Sequence, residues 1–176
     1  IDRTVGTIIC RIFSICYKIF KKEAPRNETQ NILIILLSEM GALVLGYPML
    51  QRLKKKFPAA CLHIMLFEKN REVVELLGVI PPENIMTIND STIPVFVKSA
   101  LGALAHMRRL KIDTVIDCEL FSRVSSIFSF LSGAAIRVGF HPHTQEGLYR
   151  GNFMNRPVLY NPYQHIARQF ITLVEA

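Results

Sequence analysis

Between residues 32 and 37 the chain places six apolar side chains in a row without alternation, the pattern of a strand buried on both faces of a parallel sheet. Ser38, Glu39, Met40 and Gly41 break that run with a polar, glycine-containing turn. From Ala42 onward Leu43, Leu45, Met49, Leu50 and Leu53 suit a helix packed on the sheet. Lys54, Lys55 and Lys56 close that helix where its dipole is negative, and Pro58 stops it. Pro48 lies inside the pattern, so the helix either starts near it or bends there. The same alternation continues, with strands expected at 61–67, 84–88, 114–117 and 135–138. Helices are expected at 70–77, closed by Gly78, at 93–110 and at 123–131. A polar loop covers 141–155, and a last helix covers 162–174 with Asn161 as cap and Pro162 in its first turn. Strand–helix alternation of this kind predicts an α/β fold, a Rossmann-like doubly wound parallel sheet with right-handed crossovers.

The first 30 residues follow a different pattern. Over residues 8–22, Ile8, Ile12, Ile15, Cys16 and Ile19 share one helical face, flanked by Ile9, Phe13 and Phe20. Arg11, Ser14, Lys18 and Lys22 share the other. A basic amphipathic helix can lie in a bilayer interface with its cations near anionic headgroups, or it can pack as an extra helix on a domain. Both readings are open at this stage. Arg11 and Lys18 interrupt the apolar stretch and no small-residue cleavage site follows, which argues against a signal peptide. Residues 23–30 read as a polar linker, which divides the chain into a helix and linker, 1–30, and a Rossmann-like domain, 31–176.

Composition refines this picture. Half of the 176 residues are hydrophobic and 20% are charged, which excludes a disordered chain and supports a sizeable core. The net charge of +7 is spread over several segments without an aromatic-rich basic motif. That distribution favours an anionic membrane surface or a phosphorylated substrate over nucleic acid. The four cysteines lack C-x-x-C spacing and read as buried thiols in a reducing compartment. No run of about 20 apolar residues predicts a membrane span. G-x-G-x-x-G is missing after the first strand and Glu68 is a lone acidic residue after the second, so a dinucleotide site is not supported; neither a P-loop nor G-x-S-x-G is present. His141 and His143 have no suitably spaced further ligand and read as loop residues rather than a metal site.

The loop between the carboxyl end of a parallel strand and the next helix is where open α/β sheets bind ligands, which makes 38–42 the first candidate site. Strand, S-x-x-G, a helix with an early proline and then a basic L-K-K-x-F-P segment resemble the opening of glycosyltransferase family 9, the bacterial lipopolysaccharide heptosyltransferases. Asp113 to Asp117 (DTVID), Arg123 to Ser126 (RVSS) and Leu131 to Phe140 (LSGAAIRVGF) extend the resemblance in the same order, from about Asn31 to the end.

The resemblance implies the N-terminal, acceptor-side half of a two-domain GT-B glycosyltransferase, with the donor-binding domain outside this chain. It implies sugar transfer from a nucleotide-diphosphate sugar to a lipid-linked acceptor at the inner face of the cytoplasmic membrane, without a metal or other cofactor. The competing class is a non-catalytic sugar- or nucleotide-binding module that has lost its base. The loss is concrete: family members end the first loop with a carboxylate, and this chain has Ala42 there. Glu39 is the only acidic residue of that loop and becomes the expected general base, or else a solvated loop or N-cap residue. Asp117 and Glu119 stand at the carboxyl end of the fourth strand as further acidic candidates, Asp117 for catalysis or for bonding to backbone amides, Glu119 for substrate. Arg123 matches a basic position expected to meet an anionic acceptor. Ser38, with the backbone amides of Gly41 and Ala42, is expected to bind a phosphate or sugar hydroxyl, and Arg137 and His141, flanking Gly139, complete the substrate set. His165 matches a histidine common in relatives and reads as a packing or capping residue.

Overall fold

The computed structural model describes residues 2–20, 29–37, 39–141 and 149–176. Ser38, His143 and most of the 23–30 linker therefore lie outside the described residues. Six strands form one sheet, β1 (Asn31–Ile35), β2 (Cys61–Phe67), β3 (Ile85–Ile88), β4 (Thr114–Asp117), β5 (Ile136–Phe140) and β6 (Arg156–Val158), in the order β3-β2-β1-β4-β5-β6. Every pairing is parallel, with Ile32 opposite Leu62 on one side and Thr114 on the other. Ile32 to Ile35, the last four residues of β1, are buried, and β4 is buried along its whole length, as unalternating apolar strands require. Asp113 ties the entry of β1 to that of β4: its Oδ2 accepts from the N–H groups of Gln30 and Asn31 at 2.8 and 2.7 Å.

Helices cover both faces. α2 (Met40–Leu45), α3 (Tyr47–Lys56), α4 (Arg71–Leu77) and α7 (Ile166–Glu175) bury Leu43, Met49, Leu53, Val74 and Phe170 against Ile32, Ile34, Ile64 and Ile116. α5 (Ile93–Arg109) and α6 (Arg123–Leu131) bury Ala103, Met107 and Phe128 against Leu33, Ile35, Met65 and Val115 on the opposite face. The proline-containing helix expected after β1 is in fact two: α2 ends at Gly46, and α3 restarts with Pro48 in its first turn, where a missing N–H costs nothing. Gly78 closes α4 at φ 64°, a backbone state that glycine adopts without a Cβ clash.

Three sequence expectations are corrected. β6 was not anticipated, because a three-residue edge strand with proline at its centre carries almost no pattern. The last helix starts at Ile166 rather than 162: the Asn161 side chain accepts from Tyr163 N–H in a preceding turn, and His165 is the cap, its Nδ1 accepting from Ala167 N–H at 3.3 Å. Cys61, the first residue of β2, is exposed, while Cys10 and Cys118 are buried thiols.

The N-terminal helix α1 (Thr7–Phe20) follows a π-helical turn (Asp2–Gly6) and packs on α6. Its buried stripe differs from the apolar face the sequence suggested. Cys10 and Ser14 are buried and Phe13 stacks on Phe130 at 4.7 Å between ring centroids, with Phe130 in turn 5.0 Å from Phe153. Ser14 Oγ accepts from Tyr149 O–H (2.7 Å) and Asn152 N–H (2.8 Å) and donates to Cys10 O. The Arg137 guanidinium lies 5.0 Å from the Tyr17 ring. Ile8, Ile12, Ile15 and Ile19 remain between 52% and 68% exposed. The helix therefore packs by one stripe and leaves its isoleucine stripe uncovered. Ser14→Ala should cost about 1–3 kcal/mol of stability in urea unfolding, since two donors lose their acceptor. Ile15→Ser, on the uncovered stripe, should stay within about 0.5 kcal/mol of the parent.

Candidate functional site

β1 and β4 are neighbours whose following helices leave to opposite faces of the sheet. No helix can cover the gap at their carboxyl ends, and such a switch point is where open α/β sheets form a crevice. A cleft of about 330 Å³ opens there. Leu36, Glu39, Gly41, Ala42 and Leu45 line it from the β1 side, Cys118, Glu119, Leu120 and Phe121 from the β4 side, and Ile166 and Phe170 from α7.

The two loops are bonded to each other. Cys118 N–H donates to Ile35 O at 3.0 Å, and Leu37 N–H donates to Glu119 Oε1 at 2.7 Å. Leu37 O accepts from the Asn70 side chain at 3.3 Å. Glu119, 7% exposed, thus fixes the backbone just before the loop that carries Glu39. Glu39 itself is exposed and extended (φ −137°, ψ 135°) at the N-cap position of α2, yet its side chain caps no amide. It borders the cleft together with Gly41 and Ala42.

Asp117 is set apart from them. It is fully buried and is not among the cleft-lining residues. Its Oδ2 meets Arg150 Nη2 at 2.6 Å, Ser125 Oγ at 3.1 Å and Ser126 Oγ at 3.5 Å, and its Oδ1 accepts from Glu119 N–H at 3.0 Å. Arg150, 3% exposed, also donates through Nε to Ser122 O at 2.9 Å, while its Nη1 has no acceptor among the described residues. Burial pushes the Asp117 carboxyl up to about 6, against the pull of the Arg150 guanidinium. Gly151 makes the approach possible: at φ 89° it turns the chain after Arg150, and a Cβ there would meet the Phe153 ring at 2.1 Å.

The two arginines anticipated at the site are turned inward. Arg123, 4% exposed, donates to Tyr149 O at 3.0 Å. Arg137, 8% exposed, donates to the carbonyls of Phe153 (2.8 Å) and Ala134, and burial lowers its pKa. His141 is half-buried at the end of β5, where burial, and after it Arg150, hold its imidazole below the usual value. Of the anticipated set, the fold brings Glu39, Gly41, Ala42 and Glu119 to one cleft, and places Asp117, Arg123, Arg137 and His141 around the 149–153 segment behind it. Arg150, Phe121, Ile166 and Phe170 were not anticipated. Phe121 follows Glu119 on the same loop, whereas Arg150 is revealed only by long-range contact, meeting Asp117 across 33 positions.

No protein-family model matches the sequence, and no curated protein matches it. Solved structures do. The glycosyl transferase family 9 protein from Veillonella parvula DSM 2008 superposes with a TM-score of 0.70 at 19% identity, over 88% of this chain and 42% of that one. E. coli heptosyltransferase WaaC with ADP-2-deoxy-2-fluoro heptose superposes with a TM-score of 0.68 at 15% identity, over 82% of this chain and 47% of that one. What the chain shares with both is the fold, a parallel α/β sheet flanked by helices. The chain spans less than half the length of each.

The Asp117–Arg150 pair yields a sharp expectation. Removing one partner of a buried pair costs about 3–5 kcal/mol, so Arg150→Met should lower unfolding stability by that amount at pH 7.5, and adding Asp117→Asn should restore part of it. Asp117 Cγ should titrate in NMR with a midpoint of about 6. Because this folded-state value lies above the ordinary ~3.9, the stability contributed by the protonated form is complete below about pH 4. It is lost as pH rises through about 6. The cost of Arg150→Met should accordingly shrink at pH 5.

Proposed function

We propose that this chain is the acceptor-side half of a GT-B, heptosyltransferase-like glycosyltransferase. The full protein transfers a sugar from a nucleotide-diphosphate sugar to a lipid-linked acceptor of cell-envelope glycan synthesis, with lipopolysaccharide the family precedent. The observation that carries this reading is the open β1/β4 crevice with a solvent-accessible carboxylate, Glu39, at its edge.

In this mechanism the acceptor hydroxyl lies in the crevice and gives its proton to Glu39 as its oxygen attacks the donor's anomeric carbon. The bond from that carbon to the diphosphate oxygen breaks, and the nucleoside diphosphate leaves. Glu39 stands three positions before Ala42, where family members carry the carboxylate, and its extra methylene offsets part of that displacement. Glu119 holds the loop through Leu37 N–H, a positioning role. Asp117, enclosed by Arg150 and two serines, braces the 149–153 segment in this scheme rather than exchanging protons with substrate. Recognition of the donor nucleotide belongs to a second domain, so this chain alone is inactive.

The same reading gives α1 a task. A lipid-linked acceptor sits at a membrane, and α1 offers an uncovered isoleucine stripe beside the exposed Arg11 and Lys18. No helix among the described residues is long and apolar enough to cross a membrane. The stripe would lie in the interface of an anionic bilayer, at the inner face of the cytoplasmic membrane, while the opposite stripe stays locked to the domain. A second reading, a non-catalytic sugar- or nucleotide-binding module, draws on one observation, the alanine at position 42.

In the full protein, Glu39→Gln should lower kcat by about 10²–10⁴-fold with donor affinity unchanged, because only the proton acceptor is lost. Ala42→Asp added to it should recover part of the rate; turnover of Glu39→Gln at the parental rate would move the base elsewhere or favour the binding module. For the membrane, replacing Ile8, Ile12 and Ile15 together by serine should reduce co-sedimentation with anionic vesicles at least tenfold without unfolding the chain. Equal partitioning would dismiss the interfacial role.

A further inference from the structure

Asn70 stands at the start of α4, in the N-cap position, where an asparagine side chain normally accepts from an amide of the first helical turn. Here the side chain makes no cap bond. It is 4% exposed, and its Nδ2 donates to Leu37 O at 3.3 Å, across 33 positions. The residue forgoes a local bond for a distant one, on the backbone two residues before Glu39. A local rule broken in this way is what a functional constraint produces. Resting on the reading of Glu39 as general base, we infer that Asn70 is a positioning residue for that carboxylate.

The backbone bonds between β1 and β2 run as far as Leu36 N–H, which donates to Met65 O at 3.0 Å. One residue further on, side chains hold the chain from both sides. Leu37 N–H donates to Glu119 beyond β4, and Leu37 O accepts from Asn70 beyond β2. Tied to both neighbours, Leu37 fixes the direction in which the chain leaves the sheet towards Glu39. On the far side, Glu39 O accepts from Leu43 N–H at 3.2 Å in the first turn of α2. The Glu39 side chain caps no amide of α2, so the backbone sets where its carboxylate stands. Asn70 is itself anchored, at the end of a 3₁₀ turn (Glu68–Asn70). Glu68 Oε2 accepts from Asn89 Nδ2 at 2.6 Å, and Lys69 Nζ meets Asp90 Oδ2 at 2.8 Å, which ties that turn to the segment after β3. The carboxyl ends of β3, β2 and β1 are thereby linked, and Asn70 is the last link before the loop of the base. It is not among the residues lining the crevice, so it acts through that loop and not on substrate. A base displaced by about 1 Å from the hydroxyl it serves loses up to about 10²-fold in rate.

The test is made in the full protein with Asn70→Ser, since serine caps helices well but is too short to reach Leu37 O. The kcat should fall about 10–100-fold while KM for the nucleotide sugar stays within about twofold, because only the placement of the proton acceptor changes. In a Glu39→Gln background the same substitution should cost less than about twofold, the group it positions being already gone. Hydrogen exchange followed by mass spectrometry should quicken about tenfold over residues 39–45 and stay unchanged over α4, which also shows that the helix keeps its fold. Asn70→Asp, which caps as well but sets an oxygen against Leu37 O, should repeat the pattern. A kcat within about twofold of the parent's, an equal loss in both backgrounds, or unchanged exchange over 39–45 would overturn the inference and leave Glu39 as the base. Turnover of Glu39→Gln at the parental rate would remove the base assignment, and the role of Asn70 with it.

Discussion

A parallel sheet whose crossovers reverse direction leaves a gap that its own helices cannot fill, and in this chain the gap lies between β1 and β4. The helices after β1 go to one face and the helix after β4 to the other. Everything proposed about function depends on that divergence, because it opens the carboxyl ends of two buried strands to solvent. The gap is also held to a fixed width. Parallel pairing of Ile35 with Asp117 is prolonged by Cys118 N–H to Ile35 O and by Leu37 N–H to the Glu119 carboxylate. A side chain has thus taken over from the ladder where the backbones separate.

Behind the crevice, a second system answers a buried charge. Asp117 has left water entirely, and four donors converge on it from Arg150, Ser125, Ser126 and Glu119 N–H. Arg150 belongs to the segment that also supplies Tyr149 O to Arg123, Tyr149 O–H and Asn152 N–H to Ser14, and Phe153 to the aromatic stack. One short segment thereby joins the carboxyl end of β4 to α1. The uncovered isoleucine stripe of α1 is consequently presented by a rigid body rather than by a dangling helix.

The sheet was legible in the sequence because strands buried on both faces cannot alternate, and residues 32–37, 61–67 and 114–117 do not. β6 was illegible for the converse reason, being a short edge strand around Pro157. The face by which α1 packs was misread because Ser14 looks solvent-bound until Tyr149 and Asn152 are seen to need its oxygen. Hydrophobicity ranks isoleucine above serine and has no knowledge of a distant donor. The same limit applies at the site: Glu39, Ala42 and Glu119 are local to the strand ends that form the crevice, so position alone brought them together. The inward turn of Arg123 and the Asp117–Arg150 pair depend on a loop that carries no periodic signal.

The central claim is that the acceptor hydroxyl is activated in the β1/β4 crevice by Glu39. A structure of the full protein holding an inert nucleotide-sugar analogue together with an acceptor glycoside addresses it most directly. The account predicts the reacting hydroxyl at hydrogen-bond distance, about 3 Å, from the Glu39 carboxylate, with Asp117 still enclosed by Arg150. An acceptor seated outside the crevice, or a hydroxyl bonded to another carboxylate while Glu39 faces solvent, would contradict it.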